Sequence, residues 1–498
     1  MFYKSLTFKI PDSKMELLTP GYQDDIYDIM RLNKFSHKEK NIFPENDLYK
    51  DFQTTILRIF SEDNKEQFLE ELRDKIHSAE VDLFPVFSSG HVLNFLIDLI
   101  NTRNYPYVRL SLDIIIELLF NSSQFASFVT SNCITFKDLL HENLCVQKIF
   151  TIFTLTLYDI PDFCEYYHSI KLIELMMIIC NDEKKKTDKE IISSISTLLS
   201  VMIKLNRLLS NSYSDESQKY EFFYHLTSIS HFLLNKTENI FRKPKNELTN
   251  ECFRKKKTKK SPKNKNEPNK NLIISYQQTA IEIFDTLSLT HVAPMKDLFD
   301  EISCMNIYNL ISKGDLLYET SHMIFTLLHH NTESAIEFIT NNDILVPLSR
   351  QFIYGKNEFQ LTLLPLFIDM LYLSDELGEM INYDILGIFD ANLHNYTAVQ
   401  KEKVYRLFCV LAKRFPDRVI NIDNLSTYLE DCFDFADIAS NDFIVLMLDA
   451  FLSIMRNHIL LTDIFDQTEL VERLEGYVLN SHDEKIIELS QTILVELH

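Results

Sequence analysis

The chain has 498 residues, with 50 Lys and Arg against 72 Asp and Glu, and a net charge of −22. A surface this acidic repels phosphate backbones, which excludes general nucleic-acid binding by the folded part and suits basic partners. Only seven glycines occur, where average usage would give about 35. Primed hairpin turns, dinucleotide loops and phosphate loops need glycine, and helices joined by polar turns do not. An all-α protein is expected.

The first residues, MFYKSLTFKIPDSK, lack both an uninterrupted apolar core and a small-residue cleavage site, so no secretory signal is expected. Residues 1–85 begin polar and irregular, then carry apolar residues at i, i+3, i+4 and i+7 over Leu48–Phe60 and Glu66–His77, which predicts two amphipathic helices. From Phe84 a repeating grammar begins. A turn and helix are predicted over 87–100, then a nearly all-apolar helix over 107–120 that must be buried. Shorter pieces follow over 125–131 and 133–143, with a long helix over 145–159. Ile115, Ile152 and Ile195 anchor successive long helices, and FFYHLTSISHFLLN predicts one more over 222–235.

Residues 242–270 break the pattern. They hold 12 Lys and Arg against three Glu, with Pro244, Pro262 and Pro268, and show no apolar periodicity. A segment that buries no apolar area cannot offset its ordering entropy, so a disordered basic loop is expected.

The array resumes at Leu272. The pairs Phe284/Leu287, Phe325/Leu328, Phe367/Met370, Phe408/Leu411 and Leu448/Phe451, and more loosely Leu489, recur every 40 to 42 residues. That is the period of solenoid repeats, in which two or three helices are stable only when stacked on their neighbours. Phe284, Phe325, Phe367 and Phe408 should therefore be buried at equivalent places. Stretches such as NNDIL and NIDNL before the shorter helices predict Asn/Asp N-caps. Pro365, inside LTLLPLFIDML, either kinks a helix or marks its first turn.

The order of turn, IL-rich short helix and long buried helix resembles the armadillo repeat. FSSGHVLNFLIDLI (87–100) and SLDIIIELLFNS (111–122) are similar to the second and third helices of importin-alpha-family repeats. The resemblance implies a right-handed armadillo/HEAT-type superhelical solenoid of about nine or ten repeats. Its segments would be 1–85 leading in, repeats over 86–241, the disordered basic loop over 242–270, and repeats over 271–498. That family reads basic signals with Trp and Asn on successive third helices. This chain has no Trp, and the matching positions near Ile114 and Leu118 are apolar, so only the fold and a generic peptide-binding groove carry over.

No GxSxG, Walker or Gly-rich motif appears. The adjacent His329 and His330 point about 100° apart on a helix and cannot easily share a metal. His141-Glu142 lacks the second histidine of a zincin pattern. No catalytic set, cofactor or metal is expected. Eight cysteines without a CxxC pair read as reduced core thiols of an intracellular protein, in cytoplasm or nucleus, and the longest apolar runs, such as Leu361–Leu373, are broken by Pro or Asp and too short to span a bilayer.

Lys255, Lys256, Lys257, Lys259 and Lys260 fit a loose nuclear-localisation form. They are open to three readings: an inert solvated insertion, a signal read by another receptor, or a self-ligand for the protein's own groove. Ser261, before Pro262, is a candidate regulatory phosphosite, since a phosphate there would weaken either active role. The expected activity is non-catalytic binding of a protein or extended peptide, basic in character, by a monomer. Nuclear-import-like cargo binding is one version. A regulatory scaffold for a kinase, phosphatase, chaperone or cytoskeletal partner is the other.

Overall fold

The computed structural model describes residues 46–61, 65–79, 81–88, 91–142, 144–160, 162, 171–182, 188–205, 216–235, 267–289, 298–381, 385–390, 392–420, 422, 424–457 and 467–497. Among these residues there are helices and turns and no strand. The chain divides into two compact units, Met1–Leu287 and Ser288–His498. The division falls after Leu287, not at the basic segment.

Each unit is organised by a ladder of long helices. In the first unit these are α1 (Lys65–Ser78), α2 (Tyr105–Asn121), α3 (Val146–Asp159), α4 (Lys189–Lys204) and α5 (Glu267–Ser288). Helix α1 packs on α2, α2 on α3 and α3 on α4. The step from α4 to α5 is made by Ser196 Oγ and Thr279 Oγ1, 2.8 Å apart, and by Tyr276, whose hydroxyl donates to the Lys189 carbonyl at 3.3 Å. The anchors Ile115, Ile152, Ile195 and Phe284 are all buried on successive ladder helices. Shorter helices such as His91–Asn101 and Cys133–His141 pack behind them.

The second unit repeats the plan with α6 (Leu317–His330), α7 (Asn357–Leu373), α8 (Ala398–Arg414), α9 (Asn441–Arg456) and α10 (Glu484–Leu497), each packed on the next. Phe367, Phe408 and Leu448 are buried as expected. Phe325 is not: its neighbours Ile324, Leu327 and Leu328 fill the core and its own ring turns toward the outer stripe. Positions one residue apart on a helix differ by about 100°, so a one-residue error in register moves a ring from core to surface. Leu489 is likewise half-buried, and Ile486 and Ile493 hold the core of α10.

Two further expectations are corrected, and the alternatives for Pro365 are decided. Helix α5 begins at Glu267, so the last four residues assigned to the disordered loop are helical. Pro268 sits in that first turn, where its missing N–H costs nothing. Pro365 lies in the interior of α7, which excludes a first-turn role and leaves the Leu361 carbonyl without its helical donor. The Asn-rich stretches seldom act as N-caps. Asp300 does cap, accepting from the Ser303 N–H at 2.7 Å, but Asn132, Asn342 and Asn457 donate backward to the carbonyls of Phe128, Phe338 and Ser453 at 2.8 to 2.9 Å. They close the preceding helix, whose last carbonyls have no intrahelical partner.

Few glycines do not mean few left-handed residues. Arg103, Cys145, Lys171, Leu316 and Asp343 adopt φ between 48° and 58°, and Gly314, at 71°, is the one described glycine with a positive φ. Cys145 and Leu316 stand at the N-termini of α3 and α6.

Gly378, on the short helix Asp375–Met380, is needed for a different reason: a Cβ there would run into the ring of Phe415. That ring is held by the Arg418 guanidinium 4.6 Å above it, which also donates to the carbonyls of Gly378 and Ile381, each at 2.8 Å. Gly378→Ala is expected to destabilise by about 1–3 kcal/mol through overpacking. A thermal melt checks this, and an unchanged midpoint would mean that Phe415 yields freely.

Candidate functional site

A ladder helix is flanked by its neighbours on two sides and backed by shorter helices on a third, so one stripe of each stays outward. In α7 that stripe runs through Glu358, Thr362, Pro365, Asp369 and Tyr372, and in α8 through Val399, Glu402, Arg406 and Lys413. These spacings of three and four residues, and of seven from Arg406 to Lys413, follow one face of a 3.6-residue helix. Because the helices stand side by side within a unit, their stripes form a continuous surface, the only kind of site that stacked repeats offer at every step.

Polar contacts one repeat apart join the stripes. In the first unit His77 Nδ1 lies 3.0 Å from Glu117, and Lys148 pairs with Asp113. In the second, His329 Nε2 meets Asp369 at 3.0 Å, Lys413 meets Asp449 at 2.8 Å and Arg456 meets Glu496 at 2.9 Å. The Lys413 ammonium also lies 5.8 Å from the Tyr372 ring centroid. Half-exposed pairs of this kind contribute at most about 1 kcal/mol each. Their larger effect is on charge, since the cations of this surface already have carboxylate partners within the protein. Arg406 follows the same rule with Glu402 at 2.9 Å.

His329 is the one histidine among these second-unit cations. Its hydrogen bond and charge interaction with Asp369 raise its pKa above the ordinary histidine value, against a smaller lowering by burial. A raised folded-state pKa stabilises fully below the unfolded value of about 6.5, and the contribution fades as pH rises through the folded value. The unfolding midpoint of the native chain should therefore exceed that of His329→Gln by more at acid than at alkaline pH. A difference that did not change with pH would exclude the pairing.

The basic cluster Lys255, Lys256, Lys257, Lys259, Lys260 and the candidate phosphosite Ser261 all lie outside the described residues. The positions near Ile114 and Leu118 are core: both side chains are fully buried. The described cysteines behave as core thiols, with Cys133, Cys180, Cys304, Cys409 and Cys432 buried, and burial pushes Cys133 and Cys304 up to about 11. Among the described residues no group of His, Cys, Asp or Glu is placed to hold a metal ion, and no helix is long and apolar enough to cross a membrane. The outward stripes themselves escaped the sequence, because assigning a face requires the phase of each helix to within one residue.

No family model and no curated protein matches the sequence. Solved structures do resemble it. An engineered protein superposes with a TM-score of 0.60 at 10% identity, over 91% of this chain and 99% of its own. SYS-1 superposes at 0.56 with 12% identity, over 95% of each chain. A designed armadillo repeat protein matches 45% of this chain at a TM-score of 0.37 and 14% identity. At such identities the likeness concerns the fold alone. Helix content, the forty-residue ladder and the likeness to the engineered protein and to SYS-1 agree that the chain has an α-helical repeat fold, with the period of armadillo and HEAT units.

Proposed function

We propose that this chain is a non-catalytic scaffold that holds an extended segment of a partner protein along the outward stripes of its ladder helices. The observation that carries the reading is the continuous surface formed by Asp369, Tyr372, Lys413 and Asp449 across three successive helices. Stacked repeats spread contact over a long surface, which suits an extended ligand.

Of the two finer readings, the regulatory scaffold is better supported than nuclear-import-like cargo binding. A receptor for Lys-rich cargo needs carboxylates left over for the cargo, and Asp113, Asp369, Asp449 and Glu496 already serve cations of the chain itself. The Lys255–Lys260 cluster then acts as a localisation signal read by another receptor, with phosphorylation of Ser261 opposing it. The protein would act as a monomer in cytoplasm or nucleus.

The test is a random-peptide display selection against the full chain, followed by affinity measurements on Tyr372→Ala and Val399→Ser. Selected peptides should lose affinity for these variants while the melting curves stay in place. Peptides indifferent to both substitutions, or no enrichment, would overturn the reading.

A further inference from the structure

We infer that the outward faces of two shorter helices of the second unit, Leu425–Phe435 and Gln467–Asn480, form a docking surface for a basic amphipathic helix of another protein. The surface lies away from the ladder stripes, so the inference goes beyond the scaffold reading and does not depend on it. Arg473 joins the two helices. Its guanidinium meets Asp434 at 3.0 Å and Asp437 at 2.8 Å, and donates to the Phe433 carbonyl at 3.0 Å. In Gln467–Asn480, Leu470 and Leu474 turn into the core. Glu469, Glu472, Gly476 and Leu479 follow one another at spacings of three and four residues on the side away from it. Leu479 is 80% exposed, and Ile438, which ends the turn after Leu425–Phe435, is 74% exposed.

Charge selects a basic occupant. Six exposed carboxylates, Glu430, Asp434, Asp437, Glu469, Glu472 and Glu475, stand on these helices and the turn between them and Ser440, against the single guanidinium of Arg473. Asp434 and Asp437 take up that cation, and among the described residues Glu430, Glu472 and Glu475 have no ion pair. The ladder stripes differ, since Asp369, Asp449 and Glu496 there are met by His329, Lys413 and Arg456. Carboxylates left over around exposed aliphatic side chains complement a partner that carries Lys or Arg beside its own apolar face. Gly476 selects a helix. It lies inside Gln467–Asn480, where glycine is less favourable than alanine. A Cβ there would meet no atom within 4 Å, and its φ is not positive, so nothing within the described chain requires glycine at this place. A bare backbone on an outward face lets a second helix axis come closer than larger side chains allow. A helix crossing at Gly476 sets its apolar face on Leu479 and Ile438, and its long cationic side chains reach toward Glu430 and Glu472.

The experiment measures anisotropy of a fluorescein-labelled Leu/Lys peptide of about 18 residues, its leucines at i, i+3, i+4 and i+7, against the full chain. A scrambled peptide of the same composition and a Leu/Glu peptide serve as comparisons. The Leu/Lys peptide should bind about tenfold more tightly than either, and less tightly as salt rises. Leu479→Ser, Gly476→Gln and Glu472→Lys should each weaken it about tenfold, while Gly476→Gln leaves the melting midpoint unchanged or higher. No binding, binding no tighter than that of the scrambled peptide, or affinity indifferent to the variants overturns the inference. An effect of Glu472→Lys alone means unspecific charge attraction and overturns it as well. If the chain by itself is a dimer in sedimentation velocity and Leu479→Ser dissociates it, the face belongs to a second copy and the basic partner falls. Tyr372→Ala and Val399→Ser should leave this peptide's affinity in place. A loss there would move the peptide to the ladder surface and overturn the assignment, so the two surfaces stand or fall separately.

Discussion

Phe367→Ala should lower stability by about 3–5 kcal/mol, whereas Phe325→Ala, exactly one repeat earlier by sequence spacing, should cost under about 1 kcal/mol. Phe367 is fully buried in α7, its ring stacked on Phe352 at 4.3 Å with the planes 19° apart, and Phe352 meets Phe389 edge-on at 5.6 Å. Truncation removes the transfer energy of the ring, leaves a cavity among neighbours fixed by their own helices, and ends a ring pair worth about 1 kcal/mol more. Phe325 has water on one side, so its loss empties little core. Urea denaturation of the two variants separates the cases. Comparable losses would mean that α6 is rotated relative to the arrangement described.

Asn121→Ala is expected to cost about 2–4 kcal/mol, the penalty of leaving two backbone groups without partners. Asn121 ends α2 and is buried; its Oδ1 accepts from the Leu83 N–H at 2.8 Å, and its Nδ2 donates to the Val81 carbonyl at 2.9 Å. One amide side chain thus fixes a turn lying 38 to 40 residues earlier in the chain. Asn121→Asp keeps the acceptor and loses the donor, so it should fall between Ala and the native residue. Hydrogen exchange at the Leu83 amide reads the contact directly and should accelerate strongly in Asn121→Ala. Unchanged protection would show that another acceptor takes over.

Most long helices were legible because their apolar residues repeat with the helical period. The stretch 107–120 became Tyr105–Asn121 and 145–159 became Val146–Asp159. Burial of Ile115, Ile152, Phe284, Phe367, Phe408 and Leu448 followed from the forty-residue spacing. The spacing was less informative at Phe325, where Ile324 sits beside it and either could face the core, and at Leu489, whose place in the core is taken by Ile486 and Ile493. Composition also misled on caps: Asn132, Asn342 and Asn457 stand between helices and can serve either one, and they serve the helix before.

The contacts that shape the candidate surface were illegible for a different reason. His329 with Asp369, Lys413 with Asp449 and Arg456 with Glu496 are pairs 36 to 40 residues apart. Each partner by itself reads as an ordinary solvated charge on a polar helix face. Local sequence determined the helices, their repeat and most of their buried sides, since these depend on periodicity within a segment and on the residue types that fill a core. The tertiary structure alone decided which side chains meet across successive helices and which rings of α6 stay outside. Those outcomes depend on the rotation of each helix against its neighbour, and a single residue of phase is enough to exchange core for surface.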